Sequence, residues 1–247
     1  MSGLDVLSKW QRLAQEVRDW TAAHPELAAA WDAAMLEDER HDDDLRRKRN
    51  ELEILASAGA MLPRMGVPAL AVGAIVNGIR HGFMKTEALE AARRFVTDKS
   101  KSTLVLFGGA GAGKTVAACW CLLRARSLSD FDDSWQLDPA VGAFVRSTAA
   151  ARIPRFDESG AWDRILSVKW LVLDDLAVEG GGAFWAERLD ELVDVRHSDR
   201  RRTVITCNLP PDEFQAKVGG RIMSRIREAG MVVGCGASDL RSGQVSA

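Results

Sequence analysis

Leu104-Val105-Leu106-Phe107-Gly108-Gly109-Ala110-Gly111-Ala112-Gly113-Lys114-Thr115 joins an apolar run to a glycine-rich turn that closes on Gly-Lys-Thr. The run reads as a buried strand, and the small-residue stretch after it, 116–125, reads as a helix. Residues 108–115 fit the pattern G-x-x-x-x-G-K-[ST], the Walker A phosphate loop. Each part of the pattern has a chemical reason. In Gly108, Gly109, Ala110, Gly111, Ala112 and Gly113, glycines and small side chains let successive backbone N–H groups turn inward on phosphate oxygens. The helix that follows presents its positive N-terminal end to the same anion. Lys114 is placed to reach the β- and γ-phosphates, and the Thr115 hydroxyl to hold Mg²⁺. A loop of this kind implies a nucleotide as ligand, with ATP and Mg²⁺ the expected pair.

Working outward, a second apolar run, Trp170-Leu171-Val172-Leu173, ends in Asp174-Asp175. Alone this is a strand entering a solvated loop. Downstream of a Walker A loop it reads as a Walker B element, at the carboxyl end of a strand where ligands of α/β sheets sit. Asp174 is the candidate Mg²⁺ partner, through water, because Mg²⁺ keeps much of its hydration shell. Asp175 is the candidate base or orienter for an attacking water. A third strand pattern, Arg202-Thr203-Val204-Ile205-Thr206-Cys207, runs into Asn208-Leu209-Pro210. Asn208 is either a turn former or a sensor of the γ-phosphate. Arg221 and Arg225, in Gly220-Arg221-Ile222-Met223-Ser224-Arg225, share a helix face at i and i+4. Their planar forks suit phosphate oxygens, although a solvated basic helix has the same spacing.

Short apolar runs at 104–107, 143–145, 170–173, 204–206 and 231–233 alternate with helical patterns, which implies a mainly parallel sheet covered by helices. Ahead of them, Trp10, Leu13, Val17 and Trp20 recur at helical spacing until His24-Pro25, and a second helix is expected over 25–55. Its acidic block, 37–44, meets the basic Arg46-Arg47-Lys48-Arg49. That is an interaction surface or, more simply, a solvated helix laced by i,i+4 pairs. The organisation expected is a helical partner-binding region over 1–60, a Pro- and Gly-containing linker over 61–85 and an ATPase domain over 86–247. Arg196, Arg200, Arg201 and Arg202 form a basic cluster that is either a phosphate contact or a solvated turn.

The chain of 247 residues has 47% hydrophobic content and a net charge of −2, which suits a full core and leaves partners open. Its four cysteines, Cys119, Cys121, Cys207 and Cys235, form no C-x-x-C pair, so no zinc site is expected. Their apolar neighbours suggest buried, reduced thiols and a cytoplasmic protein. The apolar stretch 67–79 falls short of the ~18–20 residues of a membrane span, so no membrane association is expected.

Taken together these motifs resemble the AAA+ module of the DnaC/IstB family. Thr206-Cys207-Asn208-Leu209-Pro210-Pro211-Asp212-Glu213-Phe214, followed by Gly219-Gly220-Arg221-Ile222-Met223-Ser224-Arg225-Ile226-Arg227, is similar to the sensor-1 and arginine-finger segment of DnaC-type helicase loaders. Leu173-Asp174-Asp175-Leu176 and the lead-in helix 88–95 are similar as well. The resemblance implies a five-stranded parallel sheet in the order 5-1-4-3-2 and no C-terminal helical lid. It also implies that Asp175 is a catalytic acid, Asn208 is sensor 1 and Arg225, with Arg221, is a finger acting on a neighbouring subunit's nucleotide. The function it implies is an ATPase that docks on a replicative helicase hexamer through the N-terminal helices. It would self-associate with ATP and place the helicase on single-stranded DNA. Two other readings stay open: a helper ATPase for a transposase, which shares the module, and a nucleotide-gated binding module with negligible hydrolysis. A small-molecule kinase would leave Asn208 and the Arg221/Arg225 helix unexplained.

Overall fold

Within strand β1, Thr103–Phe107, side chains alternate between two cores. Leu104 and Leu106 join one apolar cluster, and Val105 and Phe107 join the other. Period-two alternation with both faces apolar is what a strand buried on two sides requires. The same division holds in β2, Gly142–Arg146, β3, Trp170–Asp174, and β4, Arg202–Cys207. The sheet is completed by β5, Gly230–Gly234. All pairings are parallel, in the order β2-β3-β4-β1-β5. This is the expected order 5-1-4-3-2 read from the other edge, and every expected strand is present. The computed structural model describes residues 54–55, 58–127, 141–176 and 182–236, all within the unit Glu53–Ala247. The helices expected over 1–55 fall almost wholly outside the described residues, as do residues 237–247.

Helices cover both faces. On one side lie α1, Ala69–His81, α2, Glu87–Thr97, and α3, Lys114–Ser127. Helix α2 begins where the Thr86 hydroxyl accepts the Leu89 N–H at 3.1 Å, and Glu87 and Glu90 favour the positive end of its dipole. Its Ala88, Leu89, Ala92 and Phe95 turn inward. After a single turn, α4, Ser147–Ala150, come α5, Ala161–Ser167, α6, Gly182–Ser198, and α7, Pro211–Ala229. Trp162, Trp185, Leu192 and Phe214 from these last three fill the second core.

Two expectations are corrected here. Residues 61–85 are no linker: Leu62, Met65, Val67, Ala71 and Ile75 are buried in the first core. Prolines 63 and 68 start a 3-10 turn and α1 rather than a flexible joint. The basic cluster before β4 does not form a solvated turn or a phosphate surface either. Arg196 is 1% exposed. Its guanidinium donates to the Thr203 hydroxyl at 2.9 Å and to the carbonyls of Ile165, Leu166, Val168 and Arg202 at 3.1, 3.2, 2.8 and 2.7 Å. Arg202 lies over the rings of Phe95 and Trp170, 3.9 and 4.8 Å from their centroids. It donates to the carbonyls of Asp98 and Lys101 at 2.8 and 2.6 Å and to that of Phe95. Arg201 binds Asp199 and the Ser167 carbonyl. Three of the four cations thus staple strand ends to helix ends. All four cysteines are buried and free, as expected, and burial pushes the Cys121 thiol up to about 12. No helix among the described residues is long and apolar enough to cross a membrane.

Arg196→Met should lower the unfolding free energy by about 3 kcal/mol in urea titration, because it strands several buried carbonyls at ~1–3 kcal/mol each. Arg155→Ala, which removes an exposed pair with Glu187, should change it by less than about 1 kcal/mol.

Candidate nucleotide-binding site

The phosphate loop follows β1 and ends where α3 begins at Lys114. Its first residue shows why glycine is needed. Gly108 has φ 138°, and a Cβ there would lie 2.2 Å from the Cys235 carbonyl oxygen. That close approach arises because Cys235 extends the β1–β5 ladder, donating its N–H to the Phe107 carbonyl at 2.7 Å. Gly109, in contrast, has nothing within 4 Å of a Cβ. The loop is therefore pinned at its base and open at its tip.

Lys114 is 6% exposed, and its Nζ donates to the Gly108 and Gly109 carbonyls at 2.7 Å each. Burial pulls its pKa below the ordinary lysine value. Cys235, Cys207, Asp174 and Asp175 oppose that shift. Burial raises both thiols, Cys235 to about 11, and so keeps them uncharged. The Lys114 side chain is bent back over the loop it follows.

The acidic end of β3 is organised by hydroxyls. Asp174 is 6% exposed, and its Oδ1 accepts from the Thr115 hydroxyl at 2.9 Å and from the Thr206 hydroxyl at 2.7 Å. Strand parity explains the meeting. Trp170 and Val172 belong to the core beneath α3, as does Val204, so Asp174 and Thr206 share that face with Thr115 at the start of α3. Asp175 is exposed and left-handed, with φ 56°, a conformation that costs a non-glycine residue roughly 1–3 kcal/mol. Its N–H donates to the Thr206 hydroxyl at 2.8 Å, and its carbonyl accepts from the Ser147 hydroxyl at 2.6 Å. Its Oδ1 accepts from Asn208 Nδ2 at 2.7 Å.

The structure therefore joins Thr115, Asp174, Asp175 and Asn208, from two strand ends and one helix start, through Thr206 in one hydrogen-bonded array beside Lys114. Thr115 and Asp174 supply two hard oxygens 2.9 Å apart. Mg²⁺ accepts such a donor set, with water and phosphate completing its shell. No cluster of three or more His, Cys, Asp or Glu side chains that could hold a metal ion occurs among the described residues. Thr206 and Ser147 were missed in the sequence reading. Thr206 had a signal, its place two residues before Asn208 on the strand next to β3; Ser147 had none.

Arg221 and Arg225 do not join this array. Helix α7 is broken at Gly219, φ 81° and ψ 163°, a region open in practice to glycine alone, and the segment after the break carries both arginines. Arg221 pairs with Asp190 on α6 at 3.1 Å, and its side chain is 69% exposed. Arg225, 17% exposed, pairs with Asp194 and lies 3.6 Å from Asp190.

No protein-family model matches the sequence, and no curated protein matches it. Among solved structures the chain is similar to the DnaC helicase loader, with 20% identity and a TM-score of 0.50 over 60% of this chain and 88% of that one. It is also similar to AMPPCP-bound DnaA from Aquifex aeolicus, with 15% identity and a TM-score of 0.51 over 65% of this chain and 50% of that one. It thus spans about half the length of that DnaA chain. The structural likeness shows the fold alone: the chain is an α/β protein with a five-stranded parallel sheet. It shares this fold with the DnaC and DnaA structures just named.

Gly108→Ala should lower the melting temperature by roughly 4 °C or more and weaken binding of a fluorescent ATP analogue, because the new methyl group meets the Cys235 carbonyl. Gly109→Ala should melt within about 2 °C of the unaltered protein. Calorimetry and fluorescence titration check both.

Proposed function

We propose that the protein is an AAA+ ATPase acting in the cytoplasm as a helicase loader during replication initiation. The observation that carries the ATPase reading is the continuous array from Thr115 through Asp174 to Asp175 and Asn208, beside a phosphate loop whose lysine is buried. In this reading the N–H groups of residues 108–113 cradle the phosphates. Lys114 exchanges its two loop carbonyls for β- and γ-phosphate oxygens. Thr115 and Asp174 hold Mg²⁺, which supplies neutralisation of charge on the phosphates. Asp175 takes a proton from water as its oxygen attacks the γ-phosphorus and the bond to the β-phosphate oxygen breaks. Asn208 donates to Asp175 and so aims its carboxylate, and also stands ready as the γ-phosphate sensor. Arg225 acts on the nucleotide of a neighbouring copy after leaving Asp194, with the exposed Arg221 as its companion.

The loader assignment rests on the sequence resemblance and on likeness to a structure whose chain this one covers almost in full. The N-terminal region 1–60 is the proposed dock for a replicative helicase hexamer, with single-stranded DNA as the second partner. Light scattering after gel filtration of the full chain mixed with its host's replicative helicase tests this. A joint complex that responds to ATP is expected. No complex in either nucleotide state overturns the loader role and directs the search to a transposase.

Two variants test the chemistry. Arg225→Ala should bind ATP yet hydrolyse it at least about a hundredfold more slowly, since fingers elsewhere contribute 10³–10⁵. Mixing it with Lys114→Ala, which brings an intact finger and a broken loop, should restore part of the rate; no recovery at any ratio excludes action across subunits. Asp175→Asn should hold ATP without turnover, and an unchanged steady-state rate removes Asp175 from the reaction.

A further inference from the structure

The Thr206 hydroxyl has one hydrogen to give and lone pairs to accept with. It gives the hydrogen to Asp174 Oδ1 at 2.7 Å and accepts the Asp175 N–H at 2.8 Å. Its rotor is therefore set, and it links the buried acid to the exposed one. The residue is 2% exposed, so no solvent competes for either bond. The Thr206 backbone carbonyl also accepts the Leu176 N–H at 2.8 Å, which holds the chain on the far side of Asp175. From the other flank, Ser147, 1% exposed and directly after β2, donates to the Asp175 carbonyl at 2.6 Å. The end of β3 is thus gripped by hydroxyls from the strands on both sides. The gripped residue is the one non-glycine at this end of the sheet with a positive φ among the described residues.

We infer that Thr206, with Ser147 opposite it, is a positioning residue for the hydrolytic reaction. It holds Asp174 toward Thr115, and it holds Asp175 in the left-handed turn that brings its carboxylate to Asn208. The inference rests on the ATPase reading above and deepens it. Fold stability alone does not call for this arrangement. Asp175 is exposed, and in an ordinary strand end its N–H would be satisfied by water without a strained backbone. The strain persists because three groups, the two hydroxyls and the Thr206 carbonyl, act on two successive residues. The two hydroxyls also divide the work. Thr206 touches both acids, whereas Ser147 donates to the Asp175 carbonyl.

That division gives the test. In the full-length protein, the affinity for a fluorescent ATP analogue is measured with and without Mg²⁺, alongside ATP turnover and melting temperature. Thr206→Val keeps the shape and removes the hydroxyl. It should leave affinity without Mg²⁺ near the unaltered value, lose the gain in affinity that Mg²⁺ provides, and slow turnover by about tenfold or more. Thr206→Ser keeps the hydroxyl and should restore both. Ser147→Ala should slow turnover while keeping the Mg²⁺-dependent gain. A folded Thr206→Val with an unaltered Mg²⁺ gain and turnover overturns the inference, as does a folded Thr206→Ser that restores neither. If Thr206→Val does not fold, Ser147→Ala decides: turnover at the unaltered rate overturns the inference. If the unaltered protein binds ATP and shows no turnover, it is the hydrolase reading that fails. The Mg²⁺ gain, which needs no hydrolysis, then decides the role of Thr206 separately.

Discussion

Asp174 Oδ1 accepts hydrogens from two hydroxyls, Thr115 at the start of α3 and Thr206 on β4. A buried carboxylate needs such partners, since leaving one unpaired in a poorly hydrated interior costs far more than either bond returns. Satisfying it constrains much else. Helix α3 must start close against the carboxyl end of β3, which sets where the phosphate loop lies. Strands β3 and β4 must be neighbours in a register that brings Asp174 beside Thr206, and that register runs unbroken from Trp170 and Arg202 upward. The carboxyl ends of β1, β3 and β4 are thereby brought level, and the remaining polar residues of the array are placed by that levelling.

The opposite end of the sheet is held in another way. There the guanidinium groups of Arg196 and Arg202 collect carbonyls from helix ends and loops. Arg202 lies over the rings of both Phe95 and Trp170, and Arg196 lies among Ile165, Leu166 and Val168. Planar, multiply donating and weakly hydrated, arginine suits this role better than lysine. The consequence is a division of labour along the strands. The carbonyl-rich end is tied by inward cations, and the acid-bearing end is tied by hydroxyls.

Legibility in the sequence followed range. The strands, their parallel pairing and the loop 108–115 were readable because each is signalled by residues adjacent in the chain. Asp174, Asp175 and Asn208 were readable from their places at strand ends. The direction of a charged side chain was not. Arg196 and Arg202 have the spacing of a basic patch, yet they point inward because carbonyls from segments distant in sequence await them. Residues 61–85 carry the prolines and glycines of a linker, yet Leu62, Met65 and Ile75 are core, because a proline can start a helix as readily as it can break one.

What the sequence by itself determined is therefore the chemistry available: a phosphate loop, two carboxylates and an amide at strand ends, with the apolar runs that place them at the carboxyl end of a parallel sheet. Only the tertiary structure decided how those groups are aimed. Thr206 and Ser147 act on Asp174 and Asp175 across strand neighbours, and Arg221 and Arg225 are engaged by Asp190 and Asp194 of another helix. The physical reason is that hydrogen bonds and ion pairs depend on distance and angle in space. Local sequence encodes which groups exist and on which face of their element they stand. Which element packs against that face is settled by the burial of the whole core.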